Sequence, residues 1–409
     1  MKRLPLDGIR VLDLTMMWAG PFATKLLAEM GAEVIKIESP RAWDNIRTLI
    51  PQPGVADPWN SSYYFNEYNR NKKSVTLDLA QEPGKALFLD LVAQADVVME
   101  NYRADVLDKL GLGYETLRRM NPTVILVSMA GFGKTGPERE SVGFGPIIEQ
   151  LGGLASLTGY GDGMPMKTGI SYGDPVGGIA AAGAVALALI QRQRTGRGCV
   201  IDLAQRETMA AMIGEAYAAA SLRGDDPVHR GNRSARWAPQ GVYRAAGADQ
   251  WIAISCTSDA EWSALARLAG RDDLGGLTLE ERSDRHDELD AAIEAWTTTQ
   301  DAMLAMLALQ DAGIPAGRVL DTKDIHDDPH LNQRGFWVRL PHPRTATYRQ
   351  SGVVWRLAEA NPHLRRHAPL YGEHTREVLG DLLGLTEADF GELEAAGIIA
   401  DAPINPGVG

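Results

Sequence analysis

The sequence predicts an α/β protein, with a mainly parallel sheet covered by helices on both faces and a second, smaller α+β unit. Three observations carry this expectation. Short apolar runs bounded by turn residues alternate with longer helical stretches as far as residue 222. A polar stretch without periodicity follows at 224–236. Beyond it the pattern changes to a hairpin followed by amphipathic helices.

The elements follow in order. Residues 9–14 read as a buried strand, and Thr15-Met16-Met17-Trp18-Ala19-Gly20 as the loop after it. Pro21 suits the first position of a helix, Gly31 suits its end, and 32–38 returns as a strand. Residues 75–79, a helix over 82–94 and a strand over 96–100 form a second such unit, continued by a strand at 123–129. The apolar helix at 176–190, the turn Thr195-Gly196-Arg197-Gly198, a strand at 199–203 and a long helix over 206–222 close this half. A boundary is therefore expected near 225. After it come a hairpin of 241–245 with 250–256 and two or three helices within 259–312. Strands at 336–340 and 353–357 and helices at 373–384 and 386–396 end the chain.

Composition narrows the function. The 409 residues are 44% hydrophobic and 23% charged, enough for a large core and more than one domain. With 41 Lys+Arg against 53 Asp+Glu the net charge is −12, which repels polyphosphate backbones and anionic membranes at long range. Nucleic-acid binding and membrane association are not expected. The two cysteines, Cys199 and Cys256, have no partner at metal-ligand spacing, and a reducing cytoplasm suits them. Asp7 and Asp13 interrupt the apolar stretch that a signal peptide needs. As a helix, 176–190 extends about 22 Å at 1.5 Å per residue, short of a ~30 Å bilayer core.

Asp174-Pro175, followed by Val176-Gly177-Gly178-Ile179, has the form of an N-cap, a proline at N1 and a tightly packed helix. At such a helix end the dipole favours the ionised carboxylate, and the small first turn admits a substrate to the backbone. Asp174 is thus a cap, a nucleophile toward an activated acyl group, or both. The turn at Trp18-Ala19-Gly20-Pro21 lacks G-x-G-x-x-G, and Gly131-Phe132-Gly133-Lys134-Thr135-Gly136 lacks phosphate-loop spacing. No H-E-x-x-H occurs, so a metal site is not expected. The basic residues Arg41, Arg70, Lys72, Lys73, Arg103 and Lys109 cluster in the first third. They either gather around a ligand's phosphates or form a solvated face, the ordinary reading for Lys72-Lys73.

Several of these patterns occur together and in order. They are Asp13-Leu14-Thr15 with Ala19-Gly20-Pro21, Gly31-Ala32-Glu33-Val34-Ile35-Lys36-Ile37-Glu38, Asn69-Arg70-Asn71-Lys72-Lys73-Ser74, Glu100-Asn101-Tyr102-Arg103, Tyr172-Gly173-Asp174 and Thr195-Gly196-Arg197-Gly198. Gly313-Ile314-Pro315-Ala316-Gly317 and Gly372-Glu373-His374-Thr375 extend them toward the end. The set resembles the family III CoA-transferases (CaiB/BaiF type), which include formyl-CoA:oxalate and carnitine CoA-transferases. The resemblance implies a Rossmann-like large domain built from both chain ends, 1–224 and 331–409, a smaller inserted domain at 225–330, and a dimer of interlocked subunits.

By the same resemblance Asp174 falls where the family carries its catalytic aspartate. Trp18 and Ala19 lie in the CoA loop, Leu77 and Leu79 in a backbone stretch near the adenine, and Asn101, Tyr102 and Arg103 along the pantetheine or diphosphate. Lys109 takes the place of a phosphate-binding arginine, Arg41 joins it by proximity, and Phe144 belongs to the CoA-contacting set. Two departures stand out. Val142-Gly143-Phe144-Gly145 offers no titratable side chain where several transferases carry a polar or acidic residue and the related α-methylacyl-CoA racemases a histidine. Trp237-Ala238-Pro239-Gln240-Gly241 replaces the glycine run of formyl-CoA transferase. Both argue against formyl-CoA/oxalate specificity, and the missing histidine weakens a racemase reading, because α-proton exchange needs a second acid/base. The expected activity is CoA transfer from an acyl-CoA to a carboxylic acid, through an aspartyl anhydride and an aspartyl-CoA thioester, with no permanently bound cofactor. The alternatives are an acyl-CoA racemase or epimerase and a catalytically silent CoA-binding subunit.

Overall fold

A computed structural model describes residues 3–160, 163–224 and 229–404. The core of the 224–236 stretch, 225–228, lies outside the described residues. The chain divides into two compact units. The first comprises Met1–Ala155, Lys167–Asp225 and Gln333–Gly409, the second Ser156–Met166 and Asp226–Asn332.

The first unit begins with strand β1 (Arg10–Asp13), helix α1 (Ala19–Glu29), β2 (Glu33–Glu38), α2 (Tyr63–Asn69), β3 (Lys72–Thr76), α3 (Glu82–Val92) and β4 (Val97–Glu100). It continues through α4 (Val106–Lys109), α5 (Tyr114–Met120), β5 (Ile125–Ser128), α6 (Gly145–Leu151), α7 (Leu154–Leu157), α8 (Gly173–Thr195), β6 (Val200–Asp202), α9 (Gln205–Met212) and α10 (Gly214–Arg223). The six strands are all parallel, in the order β3-β2-β1-β4-β5-β6, a doubly wound Rossmann-like sheet.

Alternation along the strands builds the two faces. Val11, Val34, Val97, Met99, Ile125 and Val127 pack with α1 and α8, while Leu12, Ile35, Val98 and Leu126 pack with Phe88, Leu91 and Val92 of α3. The second face also takes in Val378, Leu379 and Phe390 from the C-terminal helices, so both chain ends build this core.

In the second unit, β7 (Gln240–Arg244), β8 (Trp251–Ser255) and β9 (Ala316–Arg318) form an antiparallel sheet. It packs against α11 (Asp259–Leu268), then, past α12 (Leu279–Asp284), against α13 (His286–Thr297) and α14 (Ala302–Asp311), around Trp262, Leu265, Leu289 and Ile293. After α15 (Thr322–Asp327) and α16 (Pro329–Gln333), the chain forms the ribbon β10 (Trp337–Arg339) and β11 (Arg349–Ser351), then α17 (Thr375–Leu383) and α18 (Glu387–Ala395).

Four expectations change. The strand placed at 75–79 is Lys72–Thr76, because Lys72 turns inward onto an ion pair instead of forming a solvated face. The long helix over 206–222 breaks at Ile213 and Gly214 into α9 and α10. The partner of β10 is the polar β11, whereas Val354 and Trp355, within the strand expected at 353–357, are exposed and lie outside any strand. The apolar helix has 23 residues, long enough by itself to cross a membrane, and 33% of its most apolar stretch is buried. It packs along α1 within the first unit.

Buried charge fixes the loop after β1. Lys72 Nζ donates to Asp13 Oδ2 at 3.0 Å, Thr24 Oγ1 at 2.7 Å, Asn69 Oδ1 at 2.8 Å and the Pro21 carbonyl at 3.1 Å. Burial opposes ionised Asp13, but Lys72, Lys36 and the Thr15 and Thr24 hydroxyls hold its carboxyl below the usual range. Lys36 pairs with Asp44 at 2.9 Å and donates to the Thr15 carbonyl at 2.7 Å. Removing one partner of such a pair strands the other charge, so Lys72→Met is expected to cost about 3–5 kcal/mol in urea unfolding at pH 7. A loss below about 1 kcal/mol would show that the network contributes little to stability.

Candidate active site

In a sheet of this order the crevice opens where β1 and β4 diverge, at the carboxyl ends of the strands. Asn101, just past β4, holds the two loops together. Its Oδ1 accepts the Met16 N–H at 2.8 Å and its Nδ2 donates to the Met16 carbonyl at 2.8 Å. Met17 stands at φ 66°, with its N–H on Asp44 Oδ1 at 2.8 Å. These loops, the 141–144 segment and the start of α8 enclose a cavity of about 170 Å³. Met16, Met17, Asn101, Tyr102, Arg103 and Phe144 line it, together with Asp174.

Asp174 is not the N-cap. Helix α8 starts at Gly173, Tyr172 occupies the cap position without a side-chain bond, and Asp174 lies inside the first turn. The backbone N–H of Ala19, the first residue of α1, favours its charged form, so Asp174 stands near the free end of a neighbouring helix. Glycines make this approach fit. A Cβ on Gly178 would lie 2.7 Å from the Ala19 carbonyl oxygen, and one on Gly145 would lie 2.0 Å from Asp174 Oδ2.

The electrostatics also differ from expectation. Burial pushes the Asp174 carboxyl up to about 7, with the charge of Glu149 adding to the rise and the Ala19 N–H opposing it. Keeping a carboxyl near 7 rather than near 4 corresponds to roughly 4 kcal/mol, whereas a helix end supplies about 0.3–1 kcal/mol. Desolvation therefore outweighs the dipole. Glu100, buried at the end of β4, is likewise pushed up to about 7 by burial and accepts the Tyr102 N–H at 2.7 Å.

Sequence reading missed several neighbours. Tyr64 and Tyr68 of α2 both feel the Asp174 charge, and burial raises their phenols, that of Tyr64 to about 12. Trp18 packs on them with ring centroids 5.9 and 5.4 Å away, and its buried Nε1 has no hydrogen-bond partner. The pairing of Tyr64 with Tyr68 at i and i+4 was the available signal. Glu149 and Gln205 gave none.

The other expected residues are placed as follows. Arg103 Nε lies 3.3 Å from Asp105, and Lys109 pairs with the same carboxylate, so the two cations sit together and half-exposed to exposed. Arg41 pairs with Asp78 at 3.2 Å beyond the end of β2. Leu77 and Leu79 bury their side chains in the core, and the Leu77 N–H bonds to the Glu38 carbonyl at 2.8 Å. Arg70 and Lys72 are fully buried in ion pairs with Glu29, Glu67 and Asp13, and Lys73 pairs with Glu33 and Glu377. These three are structural.

A doubly wound sheet with a carboxylate in the crevice at its switch point defines an α/β enzyme that binds its ligand at the strand ends. The comparisons then define the family. The sequence model described as CoA-transferase family III matches residues 6–375. A succinyl-CoA–D-citramalate CoA-transferase of Chloroflexus aurantiacus is 36% identical over 97% of this chain and 98% of its own. A succinyl-CoA:mesaconate CoA-transferase of Haloarcula marismortui is 36% identical over 92% and 96%. The crystal structure of a CaiB/BaiF family protein from Brucella suis superposes with a TM-score of 0.85 at 33% identity, covering 93% of this chain and 100% of that one. The chain belongs to family III of the CoA-transferases, enzymes whose substrates are CoA thioesters and carboxylic acids.

The position of Asp174 carries a stability cost. A carboxyl raised by folding binds more protons in the native state, so its contribution falls as pH rises from about 4 to about 7. Asp174→Asn is therefore expected to be more stable than the native chain at pH 8, by about 2–4 kcal/mol, with the difference vanishing near pH 4. Chemical denaturation at the two pH values checks this. Equal stability at both would mean that the carboxylate is not strained by burial.

Proposed function

We propose that Asp174 is the nucleophile of a CoA-transferase acting on succinyl-CoA or a similar short dicarboxylic thioester, with a short dicarboxylic acid as acceptor. One observation carries the nucleophile reading. Asp174 is the only carboxylate among the described residues lining the cavity at the switch point, and it stands near a backbone N–H at a helix end. The substrate class rests on the names of the two similar relatives.

In the sequence of steps, Asp174 Oδ attacks the thioester carbonyl, the C–S bond breaks and CoA thiolate leaves, giving an aspartyl–acyl anhydride. The thiolate then attacks the aspartyl carbonyl, expelling the donor acid and forming an aspartyl-CoA thioester. The acceptor carboxylate attacks that carbonyl and releases the thiolate. Attack of the thiolate on the acceptor's acyl carbon frees Asp174 and delivers the new thioester. The Ala19 N–H stands near the Asp174 carboxyl, where charge collects when its carbonyl is attacked.

Arg103 and Lys109, joined through Asp105, hold the CoA phosphates, and Trp18, Ala19, Tyr102 and Phe144 lie along the thioester arm. Arg41 and the backbone of Leu77 and Leu79 lie toward the adenine. The functional unit is an interlocked homodimer, for which the exposed Ile179, Leu187, Ile190, Tyr217 and Leu222 of α8 and α10 offer an apolar surface. The free thiols of Cys199 and Cys256 suit a reducing cytoplasm.

Succinyl-CoA tested against a panel of mono- and dicarboxylic acids is expected to give new acyl-CoA with short dicarboxylates, and turnover only with monocarboxylates would overturn the substrate class. Charge-assisted phosphate contacts contribute about 1.5–3 kcal/mol, and both cations already share Asp105, so Arg103→Ala or Lys109→Ala is expected to raise the KM for acyl-CoA about ten-fold. The effect disappears with a pantetheine thioester. Equal losses with both thioesters would assign these residues a structural role.

A further inference from the structure

Helix α6 lies against the start of α8 along a single face. Gly145 and Glu149 stand one turn apart on it. Gly145 meets Ser171 and Asp174, and Ile148 meets Gly173, where an added Cβ would lie 3.0 Å from its Cγ2. Glu149 is fully buried. Its Oε1 accepts the Tyr172 N–H at 2.5 Å and its Oε2 the Thr168 N–H at 3.2 Å. Thr168 Oγ1 lies 3.0 Å from Oε2 and 2.7 Å from the Ile170 carbonyl, so its one hydrogen serves either acceptor. Two backbone donors, six and two residues before Asp174, therefore converge on one buried carboxylate.

We propose that Glu149 is a positioning residue for CoA transfer. Its carboxylate anchors the 168–172 loop to α6 and thereby fixes where the first turn of α8 presents Asp174. The proposal rests on Asp174 being the nucleophile. An acceptor-only group fits this site because both firm partners are donors; an amide would turn its own NH₂ toward one of them.

Glu149 also faces Asp174 with a like charge, which favours the protonated form of Asp174. The other charged groups nearby do not neutralise it. Arg206 of α9 bonds to the Leu151 carbonyl and to Glu138, Glu207 carries the same sign as Glu149, and Lys167 bonds to the Thr168 carbonyl. Arg192 and Arg194 lie in the last turn of α8.

The test uses the full chain, with succinyl-CoA and a short dicarboxylic acid. Glu149→Gln removes the charge and one acceptor, whereas Glu149→Asp keeps the charge and loses reach. Both are expected to lower kcat about ten- to a hundred-fold while the KM for acyl-CoA changes less than about three-fold, because misplacement of the reacting group is felt in the chemical step. Only Glu149→Gln is expected to move the acid limb of the kcat profile, downward by about 0.5–1 pH unit, since it removes the like charge. Wild-type kcat in either folded variant overturns the proposal, and so does a rise in KM that accounts for the whole loss. Should Glu149→Gln fail to fold, as judged by circular dichroism, Glu149→Asp decides by its kcat. Asp174→Asn run in parallel keeps the two readings apart. Normal transfer by that variant would sink the nucleophile, whereas an inactive Asp174→Asn beside unaffected Glu149 variants would sink only the positioning role.

Discussion

The site depends on how closely α8 approaches α1. Gly178 leaves no room for a side chain beside the Ala19 carbonyl oxygen, and the Phe22 ring closes the same contact, with Cδ1 3.0 Å from where a Cβ would stand. One turn earlier on α8, Asp174 therefore stands near the first N–H of α1. The other side of α1 is held from below. Thr24 of α1 and the Pro21 carbonyl both bond to Lys72, whose charge is balanced by Asp13 at the end of β1. Strand, loop and helix are thus fixed by one buried network, and Asp174 is placed against that fixed frame.

This arrangement sets the chemistry as well as the geometry. A carboxylate that has lost water is harder to keep ionised, and once ionised it has less solvation to shed when it attacks. Gly145 walls off one oxygen, Tyr64 and Tyr68 stand near the charge, and the Ala19 N–H favours it. The same crowding excludes any side chain at 145, since a Cβ there would collide with Asp174 Oδ2.

Much of this was legible in the sequence. Alternating apolar runs gave the parallel sheet, and Asp174-Pro175 before a small-residue stretch marked the start of the functional helix. The resemblance located the loops at Trp18 and Asn101. What could not be read was the environment. Lys72 looks like half of a solvated pair until β3 is seen to turn it onto Asp13. Asp174 looks like a cap favoured by its own helix, and only the packing of α1, α6 and α8 shows that burial outweighs the dipole. Glu149 has no local signal at all, because its donors at 168 and 172 lie far along the chain and meet it only in the folded unit.

The central claim is that Asp174 becomes covalently acylated and then carries CoA. The most direct measurement is mass spectrometry of the peptide containing Asp174 after rapid quenching with succinyl-CoA in the absence of acceptor, with and without hydroxylamine. The account predicts a CoA adduct on Asp174 that hydroxylamine converts to a hydroxamate. An unmodified Asp174 in enzyme that turns over normally, or an adduct on another residue, would contradict it.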